Sequence, residues 1–447
     1  MDLRLPGRRW KPFAATTIVA IAIAIALACA GCVSGRTYRT QFRDTDYCVA
    51  HNANECAQEV LHIVGTPTND PASDGPPPLA GFVEFDDQGY LREAKLKDGL
   101  IRHVHDLAQD HPLLIVVFAH GWKHNADAAD GNVQAFNRLL TRIADTDARM
   151  CANTSCRGRQ VVGIYLGWRG LSSRLEPFKT MTFWGRKSRA HRVGGDGAAE
   201  VLTELAKIKA HKRLGEGRTR SRLIITGHSF GGALVYNAIN QLLIRETAFL
   251  VDDRVVRNTA DLVVLVNPAF EAARFHSLKR KADELSFEPG QKPILAVFTS
   301  ETDTATKRAF PIGRGLGTLF SEHRDSEQRQ ENVRAIGHYF PYRTHTLTLE
   351  RGDRDATPLG LRALACAWED YSDGKTDQWQ TGAVVLTRLA PPGSGSRRFN
   401  PYMVASVEKG IISAHSDIWG ESFTDFLFRF VAVQTYSNCR PQVPPPS

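Results

Sequence analysis

Residues 221–233 read Ser-Arg-Leu-Ile-Ile-Thr-Gly-His-Ser-Phe-Gly-Gly-Ala. A β-branched run, 223–226, leads into G-x-S-x-G, and an apolar helical pattern follows at Leu234, Val235, Ala238, Ile239, Leu242 and Leu243. The spacing predicts a strand, one sharp turn and a helix. Such a turn forces its central residue into a strained conformation, and only small neighbours tolerate the close approach. It lifts the Ser229 hydroxyl above the sheet edge and sets it at a helix N-terminus, where backbone N–H groups favour an anion. Alone, G-x-S-x-G is a weak signal, and the strand and helix around it supply the weight. Without them Ser229 would be a helix cap in a Gly-rich loop.

Outward from this stretch the same alternation repeats. Residues 113–119 (LLIVVFA), 161–166, 262–266 and 294–299 are short, nearly continuous apolar runs, as strands buried on both faces of a parallel sheet require. Helical periodicity falls between them, at Phe136, Leu139, Leu140 and Ile143 and at Val201, Leu202, Leu205 and Ile208. The order predicts an α/β fold with a mostly parallel, doubly wound sheet. Irregular stretches near 169–195 and within 304–382 interrupt it and are expected as lid and pocket-wall insertions.

Upstream, Ala119-His120-Gly121-Trp122 follows the run at 113–119. HG after a buried strand, with GHSFGG about a hundred residues later, resembles the α/β-hydrolase superfamily of esterases and lipases. The resemblance covers roughly residues 82–433. It implies an α/β-hydrolase fold and an oxyanion hole built from the main-chain N–H groups of Trp122 and Phe230. Two such donors would each stabilise the charge on an attacked ester oxygen by roughly 3–4 kcal/mol. His120 is expected to shape the loop. No third ligand accompanies His120 and His124, so neither a metal nor a cofactor is expected.

The family order is serine, acid, then histidine. His415, before an apolar helical pattern at Phe423, Phe426, Leu427 and Phe430, occupies the place of the family's base. His338 and His345 are rivals, one in an irregular stretch and one in an alternating strand pattern. The acid belongs at the end of the strand at 294–299. There Asp303 matches the family habit, and Glu301 is the alternative. The run 262–266 ends in Asn267-Pro268-Ala269 and offers no carboxylate. Trp168 and Arg169 follow the run at 161–166 and, with His120, are candidates for the substrate pocket, Arg169 toward an anionic group.

The chain has 447 residues with a formal charge of +8. The first 31 residues carry a net +3, leaving a mild +5 that does not call for a nucleic-acid partner. A composition of 42% hydrophobic and 23% charged residues excludes a wholly disordered chain, and 36 Gly and 22 Pro without a triplet period exclude collagen. A single apolar run, 13–30, reaches membrane length and follows basic residues, so 1–31 reads as a secretory leader or an anchor rather than as part of the fold. Ala30-Gly31-Cys32 resembles a bacterial lipoprotein signal, which implies lipidation at Cys32; a plain anchor and simple secretion are the alternatives.

Both leader readings place the body in the cell envelope outside the cytoplasm, tethered to the membrane. Residues 32–80 are expected as a tether, 81–440 as the catalytic domain and 441–447 as a loose Pro-rich tail. The six remaining cysteines suit an oxidising compartment; short-range closure suggests Cys48–Cys56 and Cys151–Cys156, which leaves Cys366–Cys439.

The expected activity is ester hydrolysis through an acyl-enzyme by Ser229, His415 and Asp303, on a small ester or a lipid. An acyltransferase or amidase would use the same residues, and a silent envelope binding protein is the reading from another class.

Overall fold

In Leu113–Ala119 every residue is buried, with Leu114, Val116 and Phe118 on one face and Ile115, Val117 and Ala119 on the other. A strand apolar on both faces is stable only between two layers of helices, and that is the architecture found. The structure, a computed structural model, describes residues 35–52, 55–65, 76–151, 158–171, 183–210, 220–250, 259–318, 320–350, 360–389, 399–436 and 439.

The strands are β1 (Val49–Ala50), β2 (Leu61–Val64), β3 (Leu79–Glu84), β4 (Leu113–Ala119), β5 (Gln160–Gly167), β6 (Arg222–His228), β7 (Leu262–Val266), β8 (Leu295–Ser300), β9 (His345–Leu349), β10 (Gln378–Thr381), β11 (Val384–Arg388) and β12 (Tyr402–Val407). Among the described residues they form one sheet in the order β1-β2-β3-β5-β4-β6-β7-β8-β12-β9-β11-β10. From β3 to β9 in that order neighbouring strands are parallel. The departures lie toward the ends, where β2 runs antiparallel to β3 and the β10–β11 hairpin is antiparallel to β9.

The helices are α1 (Ala94–Asp110), α2 (Gly131–Cys151), α3 (Phe183–Gly195), α4 (Gly197–Ala210), α5 (Phe230–Ala248), α6 (His276–Asp283), α7 (Phe310–Gly317), α8 (Ser326–Val333), α9 (Leu361–Ser372) and α10 (Glu421–Tyr436). One core joins Ile115, Val117, Ile164 and Ile225 to Leu100 and Val104 of α1, Val201 and Leu205 of α4 and Leu234 and Leu243 of α5. The opposite core joins Leu114, Phe118, Tyr165 and Ile224 to Phe136 and Leu140 of α2, Trp368 of α9 and Phe423, Phe426 and Phe430 of α10. Phe298 of β8 meets those three α10 rings edge-on at 5.8, 5.3 and 5.8 Å.

The expected doubly wound sheet is therefore present, with its expected strands and helix faces. The stretch expected as a tether departs from its expectation. Within 35–65, β1 and β2 join the sheet, Cys48 and Cys56 are bonded, and the buried Arg39 donates to the carbonyls of Ala126 and Cys56. Sheet pairing and the Arg39 bonds hold it against the body. Residues 304–345 hold α7, α8 and short 3-10 turns, and 350–382 hold α9 and β10, with Trp368 and Trp379 buried. Cys366–Cys439 is bonded as expected, while Cys151–Cys156 lies outside the described side chains.

Candidate active site

All strands from β3 to β9 in the sheet order point the same way, so the loops that follow β4, β6, β7, β8 and β12 gather along one edge. Ser229 joins β6 to α5 with φ 56° and ψ −119°, a left-handed backbone that a serine rarely adopts. Neighbouring chain holds it there. Ser229 N–H donates to Val266 O at 3.1 Å, and Ser229 O accepts from Ala233 N at 3.2 Å and Ala269 N at 3.0 Å. The glycines flanking it are required by contact. A Cβ at Gly231 would stand 2.0 Å from Ala119 O, and one at Gly121 would stand 2.9 Å from Ser229 Cβ. The loop after β4 thus lies directly against the serine.

His415 sits in the loop between β12 and α10. Its Nδ1 bonds Asp303 Oδ2 at 2.8 Å, and its Nε2 bonds Ser229 Oγ at 2.8 Å. Asp303 cannot donate when ionised, so Nδ1 carries the proton and Nε2 accepts from the serine hydroxyl. Asp303 is fully buried and follows β8. It also accepts from Thr306 N–H at 3.1 Å and from the Thr306 hydroxyl. Burial alone would raise its pKa, but the bonds and charge of His415, together with Thr306, outweigh that and hold it below the usual carboxylate range. Behind Thr306 stands His338, its Nε2 3.0 Å from the hydroxyl, with burial pushing its pKa down to about 4.

Glu301, the alternative acid, accepts instead from the Ser406 hydroxyl at 3.0 Å. His345 is buried on β9 and bonds Thr344.

His120 takes the loop-shaping part expected of it. Nδ1–H donates to Gly121 O at 2.9 Å, and Nε2 accepts from Trp168 N–H at 3.1 Å. Trp168 Nε1 donates to His120 O at 3.0 Å, and the two rings stack at an interplanar angle of 7°. Trp168 is therefore buried as a support for this loop rather than spread along an acyl pocket. Arg169, expected toward an anionic group, pairs with Asp87. Arg186 Nη1 joins the same carboxylate at 2.8 Å and Arg189 Nε at 3.2 Å. Burial would raise the Asp87 pKa, yet the arginines hold it at about 2. Trp122 lies one residue past Gly121, and Phe230 is the first residue of α5.

The loop carrying His415 is tied down by groups not anticipated from the sequence. Ser300 Oγ donates to Ile412 O at 2.6 Å and Thr302 Oγ1 to Ser413 O at 2.8 Å. The carbonyl of His415 itself accepts from His228 Nε2 at 2.8 Å and Asn267 Nδ2 at 2.9 Å. An asparagine at the end of a buried strand, in the place searched for a carboxylate, was the available signal for Asn267. Among the described residues no group of three or more His, Cys, Asp or Glu is placed to hold a metal ion.

Residues 190–338 match the family described as an alpha/beta hydrolase of unknown function (DUF900), about a third of the chain, including β6, Ser229, β7, β8 and Asp303. That match, the mostly parallel sheet and the strand-turn-helix at Ser229 together give the chain an α/β-hydrolase fold. Among solved structures, it is similar to phospholipase PlaB from Legionella pneumophila at 13% identity, covering 62% of this chain and 51% of that one with a TM-score of 0.25. PlaB in complex with thio-NAD gives 14% identity, 62% and 50% coverage and a TM-score of 0.25. An uncharacterized protein from Pseudomonas aeruginosa gives 10% identity, 81% and 53% coverage and a TM-score of 0.24. The chain spans about half the length of these proteins. No curated protein matches it.

Proposed function

We propose that the protein is a serine hydrolase that cleaves carboxylic esters, with Ser229 as nucleophile, His415 as base and Asp303 as its orienting acid. The observation that carries this reading is the pair of 2.8 Å hydrogen bonds in series, Ser229 Oγ to His415 Nε2 and His415 Nδ1 to Asp303. Ser229 attacks the carbonyl carbon while His415 Nε2 takes its proton. Asp303 keeps the proton on Nδ1 and stabilises the imidazolium that forms. The oxyanion is held by the N–H groups of Trp122 and Phe230, the latter at the positive end of α5. His415 then returns the proton to the leaving alkoxide, and water releases the acyl group by the reverse route.

Lipid esters are the substrate class we favour. The exposed large apolar side chains include Ile312 (67% exposed), Leu316 (67%), Phe320 (102%) and Phe340 (71%), all in the stretch that follows Asp303 in the chain. In this reading residues 1–31 are the leader, Cys32 carries the lipid and the remaining chain forms one catalytic domain. The two disulfides among the described residues suggest a location outside the cytoplasm.

The test is labelling by a fluorophosphonate, then hydrolysis of nitrophenyl esters of increasing acyl length. The parent should label and turn over, and Ser229→Ala should do neither, its rate falling by a factor on the order of 10⁴ or more. A folded parent that neither labels nor hydrolyses any ester sinks the proposal. So does equal labelling of Ser229→Ala.

A further inference from the structure

We propose that Asn267 and His228 are positioning residues for His415, acting together on its main-chain carbonyl. The inference rests on the reading of Ser229, His415 and Asp303 as a catalytic triad, and it concerns what sets the distances within it.

His415 is carried by a loop, and a loop does not by itself hold an imidazole to a fraction of an ångström. Its carbonyl oxygen has two lone pairs, and both are taken, by His228 Nε2–H at 2.8 Å and Asn267 Nδ2–H at 2.9 Å. Both donors are buried. Fixing that oxygen fixes the peptide plane next to the His415 Cα, and with it the point about which the ring pivots.

The donors come from informative places. His228 is the residue before Ser229, at the end of β6. Asn267 follows Val266, the residue whose carbonyl accepts the Ser229 N–H. The other end of the Asn267 amide accepts Ser300 N–H at 2.9 Å, at the end of the strand that leads to Asp303. One side chain therefore bonds the base's loop and the acid's strand, while its neighbour bonds the base's loop from the nucleophile's strand.

The residue types match the task. Asn267 has φ 45°, a left-handed conformation that asparagine tolerates better than most residues. Glycine would suit the backbone but supplies neither bond. Aspartate could accept from Ser300 but could not donate to His415. Asparagine supplies the turn, the donor and the acceptor together. His228 must carry its proton on Nε2 to serve the carbonyl. Its Nδ1 is buried without a hydrogen-bond partner among the described residues, which leaves that ring as a one-ended donor. Burial, with His415 beside it, pushes the His228 pKa to about 3, so the ring is neutral wherever the enzyme would work.

The experiment uses the full chain and compares the parent with Asn267→Gly, Asn267→Asp, His228→Ala and His228→Gln, reading kcat and KM on a nitrophenyl ester across pH. Gln places an Nε2 donor the same number of bonds from Cα as the histidine nitrogen. Asn267→Gly and His228→Ala are expected to lower kcat by about tenfold or more, since misplacement by about an ångström costs on the order of a hundredfold. KM should stay within about twofold, and His228→Gln should recover most of the loss. Asn267→Asp sets a carboxylate beside His415 and should move the acid limb of the kcat/KM profile to higher pH.

Unchanged kcat in folded variants, or a loss confined to KM, overturns the proposal, as does a folded His228→Gln no better than His228→Ala. Should Asn267→Gly fail to fold, the His228 pair and Asn267→Asp decide the matter. A parent without activity would instead remove the triad reading itself, whereas an active parent with an inactive Ser229→Ala and unaffected clamp variants removes this inference alone.

Discussion

At the scale of the residue, Ser229 is the strained point. A left-handed serine costs on the order of 1–3 kcal/mol, and here neighbouring bonds enforce it. Ser229→Gly should therefore be more stable than Ser229→Ala by about 1 kcal/mol, with both inactive, as read from urea midpoints. Equal midpoints would mean that the turn carries little strain. Ser229, His415 and Asp303 could be singled out in the sequence because each lies in a loop that follows a strand and each has a chemistry that few side chains share. Asn267 and His228 were not. Their partner is a main-chain carbonyl, which has no residue type, and it lies 148 and 187 positions away. Trp168 misled because an indole after a strand can face a cleft or bond a neighbouring loop, and only the fold decides which.

At the scale of the element, α10 matters most for the site, since the His415 loop leads into it. Its Phe423, Phe426 and Phe430 pack on Phe298, and its far end is pinned by Cys366–Cys439 and by Cys439 N–H on Glu369 at 2.8 Å. Closing a loop of 73 residues is worth about 4 kcal/mol in the chain-entropy account. The Cys366→Ser, Cys439→Ser double variant should lose stability of that order in denaturant titration; a loss under about 1 kcal/mol would refute it. Buried parallel strands announced themselves through unbroken apolar runs. The outer strands β1, β2 and β10 did not, because β1 has only two residues and β2 and β10 have four each that mix polar with apolar side chains. That is why 35–65 read as a tether.

At the scale of the whole molecule, acid should be the weak side. Burial pushes His62, His228 and His345 to about 3, and His120 and His338 to about 4. The folded values lie below the unfolded value near 6.5, so the unfolded chain binds more protons in between. Stability is then complete above about pH 6.5 and falls as pH drops toward 4, by about 1.4 kcal/mol per unit for each group. Asp303, also depressed when folded, adds stability above its unfolded value that is lost at still lower pH. Urea midpoints should decline steeply between pH 6 and 4.5; a flat profile there would contradict the burial of these rings.

Gly35 and the end of α10 lie along opposite edges of the sheet. Gly35 borders, with His124, Trp168 and Arg169, the edge where the loops after β4 and β5 emerge. The end of α10 lies at the other edge, where Lys292, just before β8, donates to Gln434 O at 2.7 Å. A bulky reporter fused directly ahead of residue 35 should therefore sit along the edge of the sheet that carries Ser229 and slow large esters more than small ones. The same cargo attached beyond α10 should leave both rates alone, which makes that side the sensible handle for immobilising or tagging the molecule.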